Sequence, residues 1–269
     1  MKKLIFLSVI LPIFLCSCRN ESVELENGTT SSNIYLPTNA GNFWTYKVTG
    51  TIASRDSLFV ERDNTIDGNV YKKMKTKAIP TGFFSTVLNG NSVRKSGDKI
   101  LLSGNANIGF IPNLPISVML SDFAMFKEVT NVNEEIDSKS GVIEQTISGF
   151  PIKIEYTLRS VGLAPLSGFT TSAGKTYANV KPIKYIITAK ISSLTDNSGI
   201  NFPIPFLIPI LNSQDVVTST QYFAKNKGMV YAKTVISYQL QPLPTSVNLN
   251  FPTSANQTQE EFLDTFLIN

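Results

Sequence analysis

Short runs of strand-forming residues recur along this chain at hairpin spacing, each closed by a turn signal, and that rhythm leaves few folds open. Ser57–Glu61 is followed by Asp67-Gly68 and then by Asn69–Lys75. Gly82–Leu88 reads as a further strand closed by Asn89-Gly90, and Lys99–Leu102 follows Gly97-Asp98. Asp-Gly and Asn-Gly between apolar-rich runs are the turn residues of two-residue hairpins. Glu144–Ser148 and Ile152–Leu158 pair around Gly149-Phe150-Pro151. Tyr177–Ile191 is long and rich in Val, Ile, Tyr and Thr, and Gln214–Ala224 and Met229–Leu240 form a hairpin turned by Lys225-Asn226-Lys227-Gly228. In the first strand Trp44, Tyr46 and Val48 share one face and Thr45 and Lys47 the other, as a period of two requires. With no βαβ rhythm, Gly-rich phosphate loop or heptad, the expectation is an all-β antiparallel meander, a curved sheet or an open or closed barrel.

Two stretches break the pattern. Ile108–Phe126 and Ile200–Leu211 are strongly apolar, yet carry Pro112 and Pro115, and Pro203, Pro205 and Pro209. Proline at this density argues against a central strand or a regular helix. Such segments must bury their side chains by covering the core, by lining an apolar cavity, or by meeting a membrane or partner. The residues expected to line a cavity are Phe110, Ile111, Leu114, Met119, Phe123, Phe202, Ile204, Phe206 and Leu207. Met119, Phe123 and Phe126 fall on one face of a possible short helix. In the tail, Pro242–Asn256 reads as a linker. Thr258-Gln259-Glu260-Glu261 matches a capping box, and Phe262, Leu263, Phe266 and Leu267 make an apolar stripe. Together they predict a short C-terminal helix.

The first eighteen residues carry an address. Lys2 and Lys3 precede the apolar run Leu4–Leu15. Twelve helical residues reach only about 18 Å, short of the ~30 Å hydrocarbon core, so the run reads as a signal segment and not a transmembrane span. Leu15-Cys16-Ser17-Cys18 resembles the lipobox of bacterial lipoproteins. That resemblance implies cleavage before Cys18, a diacylglyceryl thioether and an N-acyl chain on Cys18, and stable membrane anchoring. The expected organisation is a signal peptide over 1–17, a flexible polar tether over 18–33 and a single β-rich domain over 34–269. The formal charge of +4 falls to +2 once Lys2 and Lys3 leave with the signal, and no clustered basic face suggests nucleic acid.

Side-chain chemistry narrows function further. The chain has no histidine, and its two cysteines are Cys16, lost with the signal, and Cys18, consumed by lipid. The expected domain therefore has no Cys/His zinc site and no Ser-His-Asp or Cys-His catalysis. Carboxylate pairs are the remaining enzymatic route, through Asp56, Glu61, Asp63 and Asp67 or through Glu134, Glu135 and Asp137. Both clusters sit in turn-rich polar segments where solvated charge is the ordinary state. Asp63–Gly68 lacks the downstream acid that a calcium loop needs. No catalytic residue, metal site or cofactor beyond the covalent lipid is expected.

The opening Gly41-Asn42-Phe43-Trp44-Thr45-Tyr46, the segment Tyr222–Val230 (YFAKNKGMV) and the lipobox together resemble a family of envelope lipoproteins of Bacteroidota. In that family a G-N-x-W-x-Y strand opens the domain and a Y-x-A-x-G-x-G-apolar-V strand pair closes it. Asn226 stands here where the first glycine of the second pattern would be. The resemblance implies an outer-membrane lipoprotein, on either face, and implies no activity. The resulting expectation is a non-enzymatic anchored domain that binds an apolar ligand in a pocket of about a few hundred Å³ or acts as an interaction module. The alternative is an accessory lipoprotein that engages an envelope protein without a small-molecule ligand.

Overall fold

The computed structural model describes residues 34–112, 114, 116–147, 149–195, 206–242 and 251–269. The expected signal and tether, with Cys18, and Phe202 and Ile204 lie outside them. The strands are β1 (Phe43–Thr49), β2 (Ser54–Ile66), β3 (Asn69–Thr76), β4 (Ser92–Ser96), β5 (Lys99–Asn107), β6 (Ser117–Lys127) and β7 (Glu135–Ile147). They continue as β8 (Phe150–Gly162), β9 (Leu166–Thr170), β10 (Thr176–Thr195), β11 (Phe206–Ala224), β12 (Gly228–Gln239) and β13 (Ser254–Leu267). Among the described residues one helix, α1 (Phe83–Leu88), interrupts them.

The hairpin signals act as expected where the turn can form. Ile66 pairs with Asn69, and Asp67 and Gly68 both take positive φ (48° and 77°), the two-residue turn whose twist suits a right-twisted ladder. Asn89-Gly90 is different. Asn89 has φ −61°, ψ 120°, Gly90 has φ 78°, and the Asn91 N–H donates to the Leu88 carbonyl at 3.0 Å. That is a type II turn, and it follows a helix instead of a strand.

All ladders are antiparallel, in the order β6-β5-β4-β3-β2-β1-β13-β12-β11-β10-β8-β7, with β9 on β10. This meander curls into a nearly closed barrel. Its first and last strands are sewn together, with Trp44 opposite Phe266 and Thr45 opposite Thr265. The path end β6 meets β7, β8 and β10 through side chains. The Ala124 N–H donates to Asp137 Oδ2 (2.6 Å), Ser160 Oγ donates to the Ala124 carbonyl (2.7 Å), and the Tyr185 hydroxyl donates to the Met125 carbonyl. The Ala124 N–H and carbonyl and the Met125 carbonyl are thus satisfied where the backbone ladder stops.

Inside, Trp44, Tyr46 and Val48 are buried, and the Trp44 indole N–H donates to the Lys227 carbonyl at 2.6 Å. Aromatic rings run through the core from Tyr35 to Phe126 (5.3 Å), Phe223 (5.1 Å), Phe84 (6.0 Å) and Tyr46 (5.7 Å).

Four local expectations are corrected. The C-terminal helix is strand β13, and it takes in Ser254–Asn256 from the expected linker. It is paired with β1 on one side and β12 on the other, and two full ladders outweigh a local capping box. The helix suggested by Met119, Phe123 and Phe126 is part of β6. Gly82–Leu88 is not a strand, because α1 lies outside the ladders and its leading N–H groups find side-chain acceptors instead. The proline-rich second stretch does enter the sheet: Pro209 sits in β11 opposite Ser192. It is tolerated because the ladder to β12 begins only at Val217, leaving Pro209 with one strand neighbour.

Candidate functional site

The barrel interior is the first place to look for a ligand. Phe110, Ile111 and Leu114 are buried, and Phe110 packs edge-on against Tyr238 at 6.1 Å, so the first proline-rich segment fills the core. Met119 points the other way and is 63 % exposed, which removes it from any interior lining. Phe206 and Leu207 open β11. Phe123 does border an internal cavity, together with Phe84 and Val87 of α1, Ile108, Met125 and Gln221. That cavity has a volume of about 20 Å³. A space of this size is on the scale of one water, whereas pockets for small organic ligands run to about 300–1,000 Å³.

The carboxylates named as possible pairs are dispersed. Lys75 bonds to Glu61 (3.0 Å), Lys72 to Asp63 (2.6 Å) and Lys127 to Glu134 (2.8 Å), all as surface ion pairs. Asp137 serves the β6 seam. Asp56 leaves the cluster altogether. It is 4 % exposed, and it meets Glu261, the last residue of the capping-box pattern, which is 1 % exposed.

These two acids hold the leading end of α1. Asp56 accepts the Thr81 N–H (3.1 Å) and the Gly82 N–H (2.8 Å). Gln259 accepts the Phe83 N–H and Glu261 accepts the Phe84 N–H, both at 2.9 Å. The N–H groups that a helix leaves unpaired are therefore met by side chains from β2 and β13. Gly82 lies between the acids. A Cβ there would fall 2.2 Å from Glu261 Oε2 and 2.9 Å from Asp56 Oδ2. Glu261 Oε2, the Tyr46 hydroxyl and the Ser85 hydroxyl are buried without a hydrogen-bond partner. Burial pushes the Glu261 carboxyl up to about 8, with the Asp56 charge adding to the rise and the N–H groups of Phe84, Ser85 and Phe83 opposing it. Tyr46 is raised well above its ordinary range by burial and then by Glu261 and Tyr177. The arrangement can hold a proton and a helix end; it is closed to substrate. Locally nothing marked it, but the alternation Gln259–Glu261–Leu263 puts an acid on the inward face once the tail is read as a strand.

The outer surface offers more room. The β9–β10 hairpin borders a groove of about 310 Å³ over β11 and β12, lined among others by Phe169, Ser172, Thr218, Tyr222, Tyr231 and Lys233. Phe169 stacks on Tyr222 at 4.1 Å and 12°, and Tyr231 packs against both and against Phe262. The Tyr231 hydroxyl donates to Glu260, which also accepts from Ser172 at 3.3 Å. Burial, followed by this carboxylate, raises the Tyr231 phenol. A second concavity of about 500 Å³ lies over Gly141, Glu155, Tyr156 and Lys190. Among the described residues no group of three or more Cys, Asp or Glu side chains is arranged to hold a metal. Comparison of the chain with protein-family models, curated proteins and solved structures finds no match.

Proposed function

We propose that this chain is an envelope lipoprotein of the Bacteroidota type, anchored through acylated Cys18, whose non-enzymatic β domain engages an envelope protein through its outer surface. The observation that favours a surface partner over an enclosed apolar ligand is the close packing of the described interior. The cavity that Phe84 and Phe123 border has about 20 Å³, while the groove beside the β9–β10 hairpin has about 310 Å³. Tyr222, Tyr231 and Phe169 supply rigid amphipathic contact area there, the side-chain type that carries binding energy at interfaces. Lipid anchorage keeps such a domain in one plane with its partner and raises the effective concentration of both.

Crosslinking in the native envelope tests the reading. One reproducible protein partner, lost when Tyr222 and Lys233 are both changed to Ala, is the expected result. Organic extraction of the purified domain yielding a stoichiometric lipid, with no protein captured, would return the carrier reading to first place. The anchor is tested separately: mass spectrometry of the N-terminal peptide should find the acylated Cys18, and Cys18→Ser should release the chain from the membrane.

A further inference from the structure

We propose that Asp56 and Glu261 form a proton-operated latch on α1: with a proton held on Glu261 beside Asp56 the leading end of α1 is locked into the barrel, and loss of that proton frees it. The inference does not depend on the identity of any partner.

The geometry gives the latch its parts. The carboxyls converge on Gly82 from β2 and β13, so close that a Cβ at Gly82 would touch both. One oxygen of Glu261 has no partner, and the whole group is sealed from water. The titratable groups that face it are Asp56 on β2 and Tyr46 on β1, with Tyr177 on β10 beyond Tyr46. Among the described residues no lysine or arginine pairs with either acid. Two like charges here would repel each other in a medium that solvates neither. Backbone N–H groups of α1 attract a charge on Glu261, but burial and Asp56 together outweigh them.

Ionisation must therefore favour any state in which Glu261 reaches water. The parts differ in how easily they yield. β13 is hydrogen-bonded along both edges. The leading end of α1 has no ladder and is held by the side chains of Asp56, Gln259 and Glu261. Its approach, Lys77–Ile79, is exposed, with Ile79 at 93 %. The trailing end is pinned, since Gly90 N–H donates to the Met74 carbonyl and Asn91 Nδ2 to the Val87 carbonyl. Release thus pivots α1 about Leu88–Asn91 and draws Phe83 and Phe84 away from the cavity they line.

Hydrogen exchange on the full chain from pH 6 to pH 9, with each rate divided by its intrinsic value, tests this. Protection of the Gly82, Phe83 and Phe84 amides should fall at least tenfold across that range while the β13 ladder amides hold. Glu261→Gln should make the loss disappear. Constant protection, an equal loss in Glu261→Gln, or opening of β13 in step with α1 would overturn the latch. A readout on the unmodified chain guards against a variant that fails to fold. The Glu261 side-chain carboxyl, followed by carbon NMR, should titrate with the same midpoint as the loss of protection; a midpoint in the ordinary carboxylate range sinks the proposal.

Discussion

At the scale of single residues, the fold concentrates its tightest constraint at Gly82. Its backbone (φ −70°, ψ 141°) is one that any residue adopts, so glycine is there for space. Gly82→Ala puts a methyl group against two carboxyls, and we expect a loss of roughly 1–3 kcal/mol, the usual range for overpacking a tight interior, read as a shift in urea midpoint. Glu261 sets a pH dependence whose sign follows from its raised value. The fold prefers the protonated acid, so the contribution is fully present below the ordinary value of 4.5 and is lost as pH rises toward about 8. Asp122, Glu155 and Asp264 are held below their ordinary range by Arg94, by Lys190, and by Lys47 with Arg55 against an opposing burial effect. Their effect has the opposite sign and acts below the ordinary carboxylate range. Between pH 5 and pH 8 stability should therefore decline with rising pH, and Glu261→Gln should flatten the profile. Denaturation midpoints at several pH values check both statements.

Elements show where a strand or helix is decided by neighbours and where by its own residues. The β6 edge is closed by side chains of β7, β8 and β10, and Tyr185→Phe on β10 would leave the buried Met125 carbonyl unmet. An unsatisfied buried group costs about 1–3 kcal/mol, and the loss should appear with faster exchange in β6 than in the doubly paired β11–β13 region. The hairpins at Asp67-Gly68 and Lys225–Gly228 were legible because their turn residues encode the geometry locally. So was the Trp44, Tyr46, Val48 face. α1 was not legible. Phe83, Phe84, Thr86 and Val87 are strand-formers, and a six-residue helix is unstable alone; it exists because acceptors from Asp56, Gln259 and Glu261 wait for its N–H groups. β13 escaped for the same reason. Phe262, Leu263, Phe266 and Leu267 suit a helical stripe as well as a strand, and the choice rests on the slot between β1 and β12. The buried acid pair followed it out of sight, since its members are joined by that long-range pairing and by no motif.

At the scale of the whole molecule, the described residues pack their own side chains where a carrier would store a ligand, and Phe84 is the residue that makes this testable. Its ring meets Tyr46 and Phe223 edge-on, it belongs to α1, and it borders the cavity of about 20 Å³. Phe84→Ala removes the largest α1 side chain from the core while leaving the backbone N–H that Glu261 accepts. We expect a loss of about 3–5 kcal/mol, the transfer and cavity cost of such a truncation, measured by chemical denaturation. The enlarged space is walled mostly by apolar side chains, Leu102, Ile108, Phe123 and Met125 among them, with Gln221 the polar exception, so it should take up a small apolar probe such as benzene or xenon. Uptake by the variant and not by the native chain is the result that a filled barrel requires. Equal uptake by both would mean that the native interior already opens, and a carrier role would then outweigh a surface partner.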